Sequence, residues 1–119
     1  MGTFVISKRF NGEFKFVFSS RKGKVIFTSQ GYALKSDCEH DIEIVKQKVT
    51  LESFQKAKAS NGKYFFKISI NEQQYAASRK YSTELRMLKG IDEIIRYGSK
   101  AETLDFSEAD FIFVDDNTP

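Results

Sequence analysis

The chain contains one nine-residue phrase twice, and nothing else in it limits the fold as much. Asn11-Gly12-Glu13-Phe14-Lys15-Phe16-Val17-Phe18-Ser19 returns fifty positions later as Asn61-Gly62-Lys63-Tyr64-Phe65-Phe66-Lys67-Ile68-Ser69. After a one-residue slip the copies align again: Ser29-Gln30-Gly31-Tyr32 falls on Ser78-Arg79-Lys80-Tyr81, and Ile42 and Val45 fall on Ile91 and Ile94. Self-similarity at a fixed period means that one supersecondary unit is built twice. Local propensity in either copy must therefore agree with the other.

In the first copy, Thr3 to Phe10 places Phe4, Ile6 and Phe10 on one parity and reads as a strand. Asn11-Gly12 suits a two-residue hairpin, because both residues accept positive φ. Glu13 to Ser19 puts Phe14, Phe16 and Phe18 on one face, which some other layer must cover. Arg21-Lys22-Gly23-Lys24 turns the chain into a third strand, Val25 to Ser29. The period then changes: Ser36 and Glu39 have capping-box spacing, and Cys38, Ile42, Val45 and Val49 form one stripe of an amphipathic helix.

The second copy is harder to read on its own. Leu51 to Ala59 has helical composition, but Phe54 to Lys58 occupies the place of Phe4 to Lys8, so a strand is expected there. Lys63 to Ile70 and Gln74 to Ser78 are the next two strands. Ser82 or Thr83 caps a helix with the stripe Leu85, Leu88, Ile91, Ile94 and Ile95, and Gly98 is placed to end it as a left-handed C-cap. The expected fold is α+β: a tandem βββα duplication over residues 3–49 and 51–100, with a single antiparallel sheet and both helices on one face.

Length is consistent with one domain, residues 1–100, followed by a tail. The charge distribution sets that tail apart. All 19 Lys and Arg lie in residues 1–100 against ten acids, a net of +9, whereas residues 101–119 carry six acids and no base. Such a split is the pattern of an interaction tail. Within it, Phe111-Ile112-Phe113-Val114 is an apolar run suited to an added edge strand or a linear motif. No stretch reaches the length of a membrane span, the first residues lack a secretory pattern, and Cys38 is the only cysteine. A cytoplasmic location and no membrane partner are the expectation.

With these residues laid out, the chain resembles the YegP-like family of small bacterial tandem-repeat proteins. The resemblance rests on Asn11-Gly12 and Asn61-Gly62, the aromatic strands after them, the Ser29/Tyr32 and Ser78/Tyr81 pairs, and the Ile42/Val45 and Ile91/Ile94 helix positions. It covers about residues 3–100. It implies one sheet with two helices on one face, and no assigned activity or catalytic residues. Two departures stand out: Gly90 precedes Ile91 as in that family, whereas Asp41 takes the place before Ile42, and the tail from Glu102 onward is longer and more acidic than the family pattern.

Motif chemistry is sparse. His40 is the only histidine; with Cys38 it supplies two ligands where a structural zinc site wants about four. No catalytic residue, cofactor or metal is expected, and Cys38 reads as core. Ser29/Tyr32 and Ser78/Tyr81 read as structural, each Ser bonding local backbone and each Tyr packing with its hydroxyl outward. The expectation is a non-enzymatic binding or interaction module, its surface the open sheet face and strand edges, with Lys15, Val17, Lys24, Phe65, Lys67 and Arg79 contributing. The acidic tail would compete for that face as a tethered polyanion. The sequence leaves the partner unknown: a protein and a second copy as homodimer are both open, as is, for the alternative function, nucleic acid held by the basic aromatic face.

Overall fold

The computed structural model describes residues 2–108. Three strands and a helix come first: β1 (Thr3–Lys8), β2 (Phe14–Ser19), β3 (Val25–Ser29) and α1 (Lys35–Lys48). A second such set follows: β4 (Phe54–Lys58), β5 (Tyr64–Ile70), β6 (Gln73–Ser78) and α2 (Glu84–Tyr97). A last strand, β7 (Glu102–Asp105), closes the order β4-β5-β6-β3-β2-β1-β7. The stretch of helical composition before Asn61 is a strand from Phe54 to Lys58, preceded by a single 3-10 turn at Leu51–Ser53.

The sheet is mixed, which corrects the expectation of a wholly antiparallel one. β7 runs parallel to β1, with Thr3 beside Glu102 and Ile6 beside Asp105. The Phe106 amide then donates to the Ile6 carbonyl at 2.8 Å. The acidic segment thus begins as a strand of the sheet, while the run at 111–114 lies outside the described residues.

Alternation builds the core. Phe4, Phe16, Phe18 and Phe27 are fully buried and meet ring to ring, Phe4 and Phe18 with centroids 5.0 Å apart and Phe18 and Phe27 stacked at 5.6 Å. Phe66 and Ile68 repeat this in the second set, and Cys38, Ile42, Val45, Met87, Ile91 and Ile94 seal the same core from the two helices. Fully burying a large apolar side chain is worth about 1.5–3 kcal/mol, so this face fixes the register.

Two β-bulges break the alternation at matching places. Phe18 pairs with Phe27 but Ser19 with Val25, and Ile68 pairs with Ala76 but Ser69 with Gln74. The extra residues, Ile26 and Tyr75, are thereby buried beside Phe27 and Ala76. A bulge sets two successive residues against one and re-aims a side chain; here Ile26 comes to lie 3.6 Å from where a Cβ on Gly90 of α2 would be.

Several local readings need correction. Asn11-Gly12 and Asn61-Gly62 do not make two-residue turns. In each loop only the glycine has positive φ, 87° and 85°, and a three-residue loop closes through Arg9 N to Glu13 O and Ala59 N to Lys63 O, both 2.7 Å. The asparagine carboxamides accept from the Glu13 and Lys63 amides at 3.0 and 3.1 Å, which is what asparagine contributes there. Phe10 stands fully exposed at the first loop instead of continuing the core parity of Phe4 and Ile6. The two-residue turn occurs at Asn71-Glu72, with φ of 52° and 69°.

At the helices, α1 starts from Leu34 with no side-chain cap, so Ser36 falls inside the first turn and the box with Glu39 does not form. Thr83 does cap α2, accepting from the Arg86 amide at 3.2 Å. Leu85 and Leu88 are exposed, and Met87 and Gly90 take the inward positions beside Ile91 and Ile94. Gly98 is right-handed helical, φ −59°, because the chain continues into a 3-10 turn that leads to β7.

Candidate ligand-binding groove

Antiparallel pairing from β2 through β5 brings the β2–β3 loop, the β4–β5 loop, the end of β6 and the start of α2 to one end of the sheet. All of these segments carry bases. They line an open groove of about 810 Å³ that holds Arg21, Lys22, Lys24, Lys63, Arg79, Lys80, Arg86 and Lys89, with Glu93 as the one acid. None of the eight bases forms a salt bridge among the described residues. Aromatic rings set some of them: the Arg79 guanidinium lies 5.5 Å from the Tyr81 ring and the Lys80 ammonium 5.6 Å from Phe65, distances at which a cation feels the ring quadrupole.

The wall behind these groups is built from the strand-to-helix junction. Ser78 Oγ accepts from the Phe66 amide at 2.9 Å and donates to the Arg79 carbonyl at 2.6 Å. Ser29 does the same with Phe16 and Gln30, at 2.9 and 2.7 Å. A serine hydroxyl thus replaces a ladder carbonyl where the third strand leaves the second. Beyond it, Tyr64 pairs with Tyr81 and Phe14 with Tyr32 as isolated bridges.

The two tyrosine hydroxyls turn inward, correcting the outward placement expected of them. Tyr81 packs against Gly90, where a Cβ would come within 2.6 Å of its hydroxyl, and burial pushes that hydroxyl's pKa up. Tyr32 donates to the Asp41 carboxylate at 2.6 Å, with both residues buried. Burial and then the carboxylate raise the Tyr32 pKa well above 10. Asp41 and Gly90 are therefore two answers to one problem, a phenol delivered into a helix surface: α2 makes room and α1 supplies an acceptor.

The six residues expected to form one surface separate into three places. Lys24 and Arg79 line the groove. Lys15 borders a smaller hollow of about 470 Å³ at the opposite end, with Ser7, Lys8, Arg9, Phe10 and Asn11. Val17 and Lys67 belong to one unbroken rank across the uncovered face, Gln55–Lys67–Ala77–Thr28–Val17–Val5–Leu104, and Phe65 lies on that face beneath Lys80. Arg86 and Lys89 were missed. Their three-residue spacing in the opening turns of a helix marks a shared face, but nothing local says which loop it meets.

Elsewhere, Cys38 is fully buried and its thiol is pushed up to about 12, by burial first and then by neighbouring acids, while His40 is exposed. No group of three or more His, Cys, Asp or Glu side chains is arranged to hold a metal among the described residues. No helix among them is long and apolar enough to cross a membrane.

A seven-stranded mixed sheet with two helices, presenting a basic groove at one end, defines a class of small α+β protein. Residues 11–52 match the model of a domain of unknown function, DUF1508. The chain is 31% identical over 106 residues to UPF0339 protein YegP of Escherichia coli K12, covering 87% of this chain and 96% of that one. The UPF0339 protein in the ptx operon 5′ region of Stutzerimonas stutzeri matches to the same extent. Solution NMR structures of UPF0339 proteins from Shewanella oneidensis and E. coli superimpose with TM-scores of 0.82 at 30% identity. They cover 89% of this chain and 92% and 93% of their own. The chain belongs to the UPF0339 (YegP) family, whose function is unassigned.

Proposed function

We propose that this protein is a non-enzymatic binding module for polyanionic ligands, and that the groove between the β2–β3 loop and α2 is its site. One observation carries the reading: eight bases from four separate segments converge against one acid, with no salt bridge to any of them among the described residues. Convergent positive charge in a concavity concentrates anionic ligands and speeds their arrival. Nucleic acid is the second reading, favoured by Tyr81, Tyr97 and Phe65 beside those bases, because rings next to cations can stack bases while phosphates are held. We also read the chain as a duplicated βββα unit, supported by the paired bulges, serine bridges and tyrosine junctions.

The acidic tail enters as a tethered competitor. Residues 109–119 lie outside the described residues, and the chain leaves β7 at the end of the sheet away from the groove. The test compares the full chain with one ending at Glu108, since a cut at Lys100 would remove β7. Fluorescence anisotropy with a single-stranded oligonucleotide and with inorganic polyphosphate, over a salt series, reads affinity. Affinity should fall with salt with a log–log slope of about −0.7 per phosphate engaged on a single strand. It should drop at least roughly tenfold in Arg86→Glu/Lys89→Glu. Equal affinity in that variant, or no binding of either probe, refutes the groove. Equal affinity of the shortened chain refutes the competing tail.

A further inference from the structure

The sheet ends in β4 on one side and in β7 on the other, and the equivalent strands β1 and β4 meet different fates in it. β1 and β4 occupy matching positions: Phe4 pairs with Phe18 as Phe54 does with Ile68, and Lys8 with Phe14 as Lys58 does with Tyr64. The outer edge of β1 is closed by β7, in parallel. The outer edge of β4 has no strand beside it among the described residues. Past Phe54 all four residues of β4 are exposed, its pairing with β5 runs without a bulge, and it contains no proline. An unpaired, regular edge is a ready template for another chain.

We propose that the outer edge of β4 is a docking site for an extended acidic peptide, which adds as an eighth strand parallel to β4 as β7 adds to β1. The chain itself shows the geometry. On β1, Ile6 is almost wholly buried next to Asp105 of the added strand; on β4 the matching residue is Lys56, exposed, with Lys58 two positions on. The Lys58 ammonium is held 5.4 Å from the Tyr64 ring, so its charge has a defined place at the edge. Backbone hydrogen bonds supply affinity in such additions and alternate side chains supply selection. Like charges opposed across a ladder are unfavourable, so Lys56 and Lys58 select against a second β4 and in favour of a chain with Asp or Glu opposite them. The site is separate from the groove and stands whether or not the groove binds polyanions.

Amide NMR of the full 119-residue chain tests this. The probe is the octapeptide Ala-Glu-Thr-Leu-Asp-Phe-Glu-Glu, the sequence of residues 101–108 with glutamate in place of its serine so that an acid faces Lys58 as well as Lys56, beside a version with lysine in place of its four acids. The acidic peptide should shift the Gln55 to Lys58 amides and slow their exchange. Binding should weaken roughly tenfold for the charge-reversed peptide, and similarly for Lys56→Glu/Lys58→Glu. Shifts confined to Ser20–Lys24 and the start of α2 would move the peptide to the groove and overturn the proposal. So would shifts along β1, equal affinity for both peptides, or no shift at millimolar peptide. Concentration-dependent broadening at β4 without peptide would put a second copy there instead, and equally overturn it.

Discussion

Removing the Tyr32 hydroxyl should cost far more than one atom's worth of contact. In Tyr32→Phe the Asp41 carboxylate, buried with 8% of its surface exposed, loses the phenol that donates to it at 2.6 Å. Hydrogen bonds to charged groups contribute about 1.5–3 kcal/mol, and the small part of Asp41 that stays exposed lets water replace some of what is lost. The expected loss is about 2 kcal/mol, or roughly 8 °C in Tm for a domain of this size. Asp41→Ala should cost less, about 1 kcal/mol, because it strands a neutral hydroxyl and gains helix propensity. The double variant should then cost about 1 kcal/mol as well, giving a coupling of about 2 kcal/mol. Urea unfolding followed by circular dichroism measures all four corners of the cycle. A coupling below about 0.5 kcal/mol would mean that the pair is energetically independent, and would refute the idea that Asp41 is the acceptor that the buried Tyr32 hydroxyl depends on. Alkali offers a second readout. The native Tyr32 pKa is raised, so its stabilisation is intact below about pH 10 and is lost as pH rises beyond it, because only the unfolded chain ionises. Tyr32→Phe should be less sensitive to alkali than the parent.

Two other perturbations follow from local geometry. Glu72 holds a φ of 69° in the Asn71-Glu72 turn, where a side chain costs about 1–2 kcal/mol, part of which glycine returns as chain entropy. Glu72→Gly should therefore stabilise by about 0.5–1 kcal/mol in the same urea assay, and a loss of stability would contradict the turn assignment. Asp105 is partly buried, which opposes its ionisation. The Lys35 ammonium at 2.8 Å and the Ser107 hydroxyl and amide overcome that, holding its pKa at about 2. A depressed carboxylate stabilises above its unfolded value of 3.8, and the benefit disappears as pH falls from there through about 2. Discounted for a side chain that is 35% exposed, this amounts to about 1 kcal/mol. Asp105→Asn should show that deficit at pH 7 and little of it at pH 2; an equal deficit at both would refute the assignment.

The duplicated phrase made the strands legible even where composition argued against them. Gln55 to Lys58 would be read as helix by propensity, and only its place before Asn61-Gly62 marks it as a strand. What the repeat could not convey is where the copies differ. Leu85 and Leu88 look like core by spacing, but the inward face of α2 is set by Tyr81 lying on Gly90, a contact made by a residue outside the helix. Tyr32 hides its acceptor in the same way, since Asp41 reads as a surface acid on an amphipathic helix. The bulges at Ile26 and Tyr75 shift parity by one residue with no mark in the local sequence. The bases of the groove were all visible one by one. Their convergence was not, because it depends on which loops share an end of the sheet, and the bases of the β2–β3 loop and of α2 lie more than sixty positions apart.

The parallel ladder between β1 and β7 has a bearing on how the molecule comes into being. It joins Thr3 to Glu102, so the last ladder to form closes a loop of nearly the whole sequence, whereas hairpins within each copy need only local search. During synthesis both three-stranded units can fold while the edge of β1 still waits for residues not yet made. In that interval the border is β1 itself, with Phe4 and Ile6 on it, where afterwards it is the short and wholly exposed β7, and encounters between unfinished chains are most hazardous then. The order of the sequence places this strand after both units, so the exposure of β1 lasts until residues 102–105 have been made.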